Sequence, residues 1–243
     1  MRNYLSFGGG VNSVALHLML LDQGVDFESV FVHHGTDWPE TYQYVAGFQW
    51  WLKANGHKPI TVLRPKVRTK DGIVFENLYN YYAYTKTIPT RISRACTDRF
   101  KVTTLQKYFV TPCFCYIGID ADEAHRAKPS YKKGIEIRWP LIEHEIGRAG
   151  CIEIIKNNGL PVLPKSGCYI CPFMRRSEYQ RLRRQEPGLF CAAQKLESEV
   201  TKKRILAGKS PLFSRDIKLE SYICESQTSM LAEDVYPPCQ CEL

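Results

Sequence analysis

Residues 4–17 read Tyr4-Leu5-Ser6-Phe7-Gly8-Gly9-Gly10-Val11-Asn12-Ser13-Val14-Ala15-Leu16-His17, and this stretch decides the fold of the chain. A short apolar run ends in Ser-x-Gly-Gly-Gly, after which Val14, Leu18 and Leu21 recur at the spacing of one helix face. The pattern predicts a strand, a tight loop and a helix. Adjacent glycines let the backbone turn its N–H groups inward at the positive end of the helix dipole. Such a loop is suited to hold an anion, most simply a phosphate.

The glycine loop differs from the two common glycine-rich nucleotide motifs. It lacks the Gly-Lys-Ser/Thr of a Walker loop, and its glycines are contiguous rather than spaced as in the dinucleotide fingerprint. Residues 6–13 instead resemble the PP-loop of the N-type ATP pyrophosphatases, a superfamily that includes phosphoadenosine phosphosulfate (PAPS) reductases and nucleic-acid thiolating enzymes. The resemblance implies that the phosphates are bound by Ser6, Gly8, Gly9, Gly10, Asn12 and Ser13, with Ser13 also acting in catalysis. The alternative is a glycine turn that only lets a helix pack close to a sheet.

Composition narrows the class of protein. The chain has 243 residues, a net charge of +8 and ten cysteines. No apolar run is long enough to span a bilayer and no basic-then-apolar leader is found, so we predict a soluble, cytoplasmic protein. In that setting ten cysteines indicate thiolates for a metal or for redox chemistry rather than a disulfide framework. The positive charge suits an anionic partner, for which a nucleotide alone is sufficient.

Strands and helices alternate after the glycine loop. Strands are predicted at 27–33, 60–63 and 115–118, with a helix from Pro39 to about Asn55 between the first two. This order predicts an α/β fold with a mostly parallel, Rossmann-like sheet flanked by helices, and the PP-loop resemblance implies the adenine nucleotide α-hydrolase type. Ligands in such sheets bind at the carboxyl ends of the strands. The glycine loop and His33-His34-Gly35 both fall at those ends.

Three further segments resemble PAPS reductase motifs. Residues 35–41 match Gly-x-Glu-x-Pro-Glu-Thr, with Asp37 at the first glutamate and His33 and His34 replacing the preceding Asp-Thr, which implies nucleotide contacts from His33 and Gly35. Residues 96–101 match Cys-Thr-x-x-x-Lys. Arg94, Arg99 and Lys101 cluster there near a predicted helix N-terminus, where they are placed to hold a phosphate or sulfate. Residues 118–130 match Gly-Ile-x-x-Asp-Glu-x-x-Arg-x-Lys-Pro-Ser closely. The implied roles there are a nucleotide contact for Gly118, Mg²⁺ binding by Asp122 and Glu123, and phosphate neutralisation by Arg126 and Lys128, with Glu123 and Arg126 catalytic.

The residues themselves leave plainer alternatives open for these segments. The histidine pair fits polar strand-end residues, and 121–128 fits a surface helix with an ion pair between Asp122 and Arg126. Residues 66–93 are rich in tyrosine and show no clean period, so they predict an irregular segment, either a substrate loop or a packing segment.

The cysteines indicate a metal site. Cys168-x-x-Cys171-Pro172 has a spacing that lets both sulfurs bind one metal or cluster. The resemblance adds Cys96 and Cys151, which gives a [4Fe-4S] cluster as the first interpretation and a zinc ion on the same ligands as the second. A thioredoxin-like dithiol ranks lower, and Cys191 is the substitute ligand. Cys239 and Cys241 occupy the tail position of the reductase nucleophile, or belong to a disordered terminus.

The whole pattern predicts a nucleotide-binding α/β domain at 1–145 and a helical, cysteine-bearing lobe with a flexible tail at 146–243. The resemblance implies an enzyme that cleaves ATP, or a related adenylyl nucleotide, to AMP and pyrophosphate and so activates an acceptor for sulfur or nitrogen transfer. A PAPS or adenylyl-sulfate reductase is the enzyme alternative, and a nucleotide- and metal-dependent nucleic-acid-binding or sensor protein the non-catalytic one. Expected partners are an adenine nucleotide, nucleic acid on the basic helices of 174–209, and a sulfur-donor protein or thiol reductant. No membrane partner is expected, and an oligomer stays open.

Overall fold

The computed structural model describes residues 1–91, 94–129, 132–163, 166–211 and 219. Its strands are β1 (Arg2–Ser6), β2 (Glu28–Val32), β3 (Thr61–Leu63), β4 (Val67–Arg68), β5 (Val74–Phe75), β6 (Cys113–Ile117) and β7 (Ile135–Arg138). Its α-helices are α1 (Val11–Asp22), α2 (Pro39–Ala54), α3 (Leu78–Thr85), α4 (Thr103–Tyr108), α5 (Pro140–Glu143), α6 (Arg148–Asn157), α7 (Arg176–Gln185) and α8 (Pro187–Leu206). A π-helical segment (Thr97–Val102) precedes α4, and a 3₁₀ helix (Ala121–Arg126) follows β6.

Five strands form a parallel sheet in the order β3-β2-β1-β6-β7. The predicted α/β fold with a parallel, Rossmann-like sheet is therefore confirmed. The strand order reverses between β1 and β6, where Ser6 lies opposite Ile117. Because both strands end at the same level, the glycine loop and the segment that begins at Gly118 start side by side. Open parallel sheets bind their ligands at this kind of reversal.

Two hydrophobic clusters hold the helices in place. Helix α6 packs against α1, and Cys151 and Ile155 join Leu16 in the cluster on that face of the sheet. Helices α7 and α8 pack against each other, and Leu182 and Phe190 are buried in a second cluster that also contains Cys168. Helix α6 thus belongs to the packing of the sheet, and the boundary predicted near residue 145 stays a prediction. Among the described helices, none combines the length and apolar character needed to cross a membrane.

Several local predictions differ from the structure. The segment 66–93 is more regular than predicted, since it contains the β4–β5 hairpin and helix α3. Asn77 caps α3 by accepting a hydrogen bond from the Asn80 N–H, 3.1 Å away. Tyr81 and Tyr82 are buried, as in a packing segment. Strand β7 was not predicted, because four alternating residues are too short a pattern to identify.

Candidate functional site

The glycine loop is held in a shape that only glycine accepts. Gly9 has a φ of +71°, and a Cβ placed there would lie 2.8 Å from Cγ2 of Val45 in α2. Gly10 is the N-cap of α1, and its carbonyl oxygen accepts a hydrogen bond from the Ser13 hydroxyl at 3.0 Å. The first N–H groups of α1 have no partner within the helix, so the loop presents unpaired donors where the helix dipole is positive.

Gly118 brings the end of β6 against the start of α1. A Cβ at this position would lie 2.8 Å from the Ser13 backbone nitrogen and 2.9 Å from the Asn12 carbonyl carbon. Backbone thus meets backbone with no space for a side chain. The sequence predicted a nucleotide contact for Gly118, and the structure shows a packing reason for the glycine.

A polar network lies beside the first turn of α1. The Asn12 amide donates to Oδ2 of Asp120 at 2.9 Å, and its oxygen accepts from the Arg148 guanidinium at 2.9 Å. The Arg148 backbone N–H donates to Oδ2 of Asp122 at 2.8 Å. The segment after β6 and the start of α6 are therefore both joined by hydrogen bonds to the N-terminal end of α1.

Glu123 and Arg126 form an ion pair at the end of the 3₁₀ helix. Burial, the largest influence, raises the pKa of the Glu123 carboxyl group, although the neighbouring Arg126 charge opposes this shift. A raised pKa in a buried carboxyl group is typical of functional sites and of structural ion pairs alike. The structure thus pairs two predicted catalytic residues with each other, whereas Lys128 lies exposed beyond them.

Polar residues also meet at the end of β2. The His33 ring stacks on Tyr42 with 4.3 Å between centroids. His34 is buried, and its two ring nitrogens lie 2.8 Å from the Thr36 hydroxyl and 3.3 Å from an Asp37 carboxylate oxygen. Burial alone would raise the pKa of Asp37, but the His34 charge and hydrogen bond, with help from Lys101 and His33, lower it overall.

Helix α3 packs so closely against residue 35 that this position requires glycine. It has a φ of +78°, and a Cβ there would lie 2.2 Å from the side-chain nitrogen of Asn77, which caps α3. The Leu78 N–H donates to the His34 carbonyl oxygen at 2.9 Å. Helix α3 thus begins directly against this strand end, and it fixes the direction in which the chain leaves β2.

The cysteine turn is joined to the same strand end. The Trp38 N–H donates to the Gly167 carbonyl oxygen at 2.8 Å, and the Tyr169 N–H donates to the Thr36 carbonyl oxygen at 2.9 Å. The Cys168 thiol donates to the Thr36 hydroxyl at 3.1 Å. A Cβ at Gly10 would lie 2.6 Å from the Ser166 hydroxyl oxygen. The turn therefore lies between the end of β2 and the glycine loop.

A small cavity of about 30 Å³, partly open to solvent, lies beside this turn. Three of the four predicted metal ligands, Cys96, Cys168 and Cys171, line it. Its walls also carry His34 and the cationic side chains of Arg94 and Lys101. We call this space the cysteine pocket. The sequence assigned Arg94 and Lys101 to the nucleotide, and the structure places both in the wall of the cysteine pocket.

The fourth predicted ligand, Cys151, lies elsewhere. It is fully buried where α6 packs against α1, in the other hydrophobic cluster. In the part of the chain that the structure describes, no three His, Cys, Asp or Glu side chains are arranged to hold one metal ion. The four cysteines therefore do not form a ready site for a cluster here. Cys113 and Cys115 are buried in β6, and Cys191 is exposed on α8. Cys224, Cys239 and Cys241 lie outside the described residues.

Sequence reasoning missed several residues of this site. It gave no role to Thr36, Asp120, Arg148 or Ser166, which the structure places at the cysteine turn or beside the glycine loop. Asp120 was visible in the sequence as an acidic residue just after a predicted strand. Arg148 and Ser166 carried no such signal, because each reaches the loop from more than 130 residues further along the chain.

The basic helices are only partly exposed. Arg181 of α7 pairs with Glu40 at 2.6 Å, and its guanidinium lies 4.2 Å from the centre of the Trp38 ring. This arginine therefore fastens α7 to α2 rather than offering a charge to a partner. Several other cationic residues of these helices are exposed: Arg183, Arg184, Lys195, Lys202 and Lys203.

Comparison with known proteins yields similarity of fold. The chain is similar to the crystal structure of a PAPS reductase from Candida auris in complex with phosphate, at 16% identity over 67% of this chain and 75% of that one, with a TM-score of 0.44. It is also similar to a predicted subunit of a tRNA methyltransferase from Methanocaldococcus jannaschii, at 15% identity over 87% and 90% of the two chains, with a TM-score of 0.42. No family model and no curated protein matches the chain.

Proposed function

We propose that this chain is an enzyme that binds ATP, or a related adenylyl nucleotide, with its phosphates on residues 8–13. The observation that carries the proposal is the position of the glycine loop. It opens α1 at the strand reversal of a parallel sheet, with Gly9 in a positive-φ conformation. Helix N-termini in this position bind anions through free N–H groups and the helix dipole.

The proposed reaction is adenylation of an acceptor. An acceptor oxygen attacks the α-phosphorus, the bond between that phosphorus and the oxygen bridging to the β-phosphate breaks, and pyrophosphate leaves with the bonding electrons. Sulfur or nitrogen then displaces AMP from the activated acceptor. The N–H groups of the loop offset the charge that develops on the phosphates, and Arg126 lies after the neighbouring strand end. Magnesium, when bound, would supply further positive charge there.

A binding experiment followed by product analysis tests this proposal. Titration of wild-type protein with ATP is expected to show saturable binding, and Gly9→Ala to weaken it by about tenfold or more, because positive φ and the contact with Val45 both oppose a side chain. Gly47→Ala is the matched control. Gly47 lies on the exposed surface of α2, and a Cβ there would meet nothing within 4 Å. AMP and pyrophosphate appearing together, in the presence of an acceptor, would support α–β cleavage. Absence of ATP binding by the wild type would contradict the proposal.

We also propose that the cysteine pocket is where an iron–sulfur cluster or a zinc ion binds. Three thiols face one cavity whose wall carries Arg94 and Lys101, and these cations suit the negative charge of metal thiolates. Thiolate sites do not identify their metal by residue type alone. Anaerobic purification with iron, sulfide and zinc analysis distinguishes the two. Iron with equivalent sulfide supports the cluster, zinc supports the structural ion, and neither metal contradicts the proposal.

Two other functions have an observation in their favour. The cationic, thiol-lined pocket also suits a sulfate group, which favours a PAPS or adenylyl-sulfate reductase. Release of sulfite from PAPS with thioredoxin as the thiol reductant would establish that activity. The exposed basic residues of α7 and α8 favour nucleic acid as the acceptor, or as the partner of a non-catalytic binding protein. Salt-dependent binding of RNA or DNA that weakens in Arg183→Ala/Arg184→Ala would support it.

A further inference from the structure

Asp120 carries a buried carboxylate with one unsatisfied oxygen. The residue is only 1% exposed. Its Oδ2 accepts a hydrogen bond from Asn12, whereas its Oδ1 is buried with no hydrogen-bond partner among the described residues. A buried polar atom without a partner destabilises the fold, and more so when it is charged. Such an atom marks the place of something that binds there, such as a water molecule or an ion.

Arg148 and Arg126, two cations of this region, bind other groups. The Arg148 guanidinium binds the Asn12 side-chain oxygen, and its backbone N–H binds Asp122. Arg126 pairs with Glu123. Burial, as the largest influence, raises the pKa of Asp120, and the hydrogen bond from Asn12, the Arg148 charge and the Glu123 backbone N–H oppose it only in part. Among the described residues no cation hydrogen-bonds the free oxygen, although the Arg148 charge acts on the Asp120 carboxylate.

The position of Asp120 connects this oxygen to the phosphate site. Asp120 follows the end of β6, directly beside the glycine loop that follows β1, and it contacts the second residue of α1. Asn12 itself is neutral, so the first turn of α1 has no acidic residue. The carboxylate of this site is thus placed on the neighbouring strand end and is joined to Asn12 by a hydrogen bond of 2.9 Å.

We propose that Asp120 is the protein ligand for the divalent cation that accompanies the nucleotide phosphates. This inference rests on the proposed function. A magnesium ion is commonly held by one or two carboxylates together with substrate phosphates and water, rather than by a cage of protein ligands. One carboxylate beside an anion-binding loop is therefore sufficient.

Nucleotide-binding measurements on variants of Asp120 and Asn12 test the inference without depending on turnover. The probe is α,β-methylene-ATP, which resists cleavage between the α- and β-phosphates. It is titrated into the protein once in the presence of EDTA and once in the presence of Mn²⁺. Mn²⁺ is expected to tighten binding to the wild type by about tenfold or more, as one charged contact does. Asp120→Asn is expected to lose most of this gain and to keep the binding measured in EDTA. Asn12→Asp/Asp120→Asn returns a carboxylate to the pair and is expected to restore part of the gain. Asp26→Asn, with an exposed side chain paired to Lys58, is the control.

The outcomes separate the two proposals. If Asp120→Asn keeps the full Mn²⁺ effect, or if the wild type binds the analogue equally in EDTA and Mn²⁺, the inference is overturned while nucleotide binding stands. If the wild type binds the analogue in neither condition, the proposed function fails and the inference fails with it. The electron paramagnetic resonance spectrum of bound Mn²⁺ is a second measurement. It should change in Asp120→Asn and stay unchanged in Asp26→Asn, and thermal unfolding of each variant verifies that it is folded.

Discussion

The Cys168 thiol donates a hydrogen bond to the Thr36 hydroxyl across 3.1 Å, and Thr36 in turn lies 2.8 Å from the His34 ring. All three residues are buried. One hydroxyl group therefore links the cysteine turn to the end of β2, although the two segments are 132 residues apart. The contact explains how the segment after β2 and the distant cysteine turn form one wall of the cysteine pocket.

Replacement of Thr36 tests this link. Thr36→Val keeps the side-chain shape but removes one hydrogen-bond partner each from the Cys168 thiol and a His34 ring nitrogen. We expect metal-free protein to lose about 1–3 kcal/mol of unfolding free energy in urea, the cost of leaving buried polar groups unsatisfied. Thr69→Val is the control, because the Thr69 hydroxyl bonds the Ile73 carbonyl oxygen on an exposed hairpin. Equal stability of Thr36→Val and wild type would show that the hydroxyl does not hold the turn.

The sequence was sufficient for the sheet except for its edge strand β7, and insufficient for the site. Strand, loop and helix around residues 4–17 follow from apolar spacing and adjacent glycines, which are local signals. The contacts of Asn12 are not local. Asp120 and Arg148 reach it from segments 108 and 136 residues away, and no periodicity encodes such a meeting. For the same reason the four cysteines could be grouped by resemblance, but only the fold separates Cys151 from the other three.

Gly118 should tolerate no side chain. In Gly118→Ala the new methyl group would lie 2.8 Å from the Ser13 nitrogen, so β6 or α1 must shift. Overpacking of this kind costs about 1–3 kcal/mol. We expect a lower melting temperature and weaker ATP binding, because the displaced N–H groups are those proposed to hold the phosphates. Gly47→Ala should instead raise stability by up to about 1 kcal/mol, since alanine favours helix. A Gly118→Ala protein with wild-type stability and affinity would refute the close packing.

His17 should make the protein sensitive to mild acid. It is buried in α1, hydrogen-bonded to Ser29 at 2.8 Å, and its ring packs edge-on against Phe27 and Phe48. Burial, with some repulsion from His57, lowers its pKa from 6.5 to about 3. The folded state therefore keeps His17 neutral where the unfolded state binds a proton. The stability that depends on neutral His17 is fully present above pH 6.5 and is lost as the pH falls from 6.5 towards 3.

The free energy of unfolding is expected to fall by about 1.4 kcal/mol per pH unit, or by about 2 kcal/mol between pH 6.5 and 5. His17→Gln removes the titrating group and keeps a side chain able to bond Ser29. Urea unfolding at several pH values should therefore show a shallower loss of stability in His17→Gln than in the wild type. Parallel curves for the two proteins would mean that His17 is protonated in the folded state, contrary to its burial.

Cys151 should prove dispensable for metal binding, because it lies in the packing of α6 against α1 and not on the cysteine pocket. We expect Cys151→Ala to keep the metal content of the wild type, and Cys96→Ala, Cys168→Ala and Cys171→Ala each to lose most of it. Cys115→Ala is the control for removing a buried thiol, since burial raises the pKa of Cys115 to about 12 and keeps it a neutral thiol near pH 7. Thiolates, not thiols, bind metal. Loss of metal from Cys151→Ala, in a protein that melts like Cys115→Ala, would instead return Cys151 to the ligand set and require α6 to lie differently in the metal-bound protein.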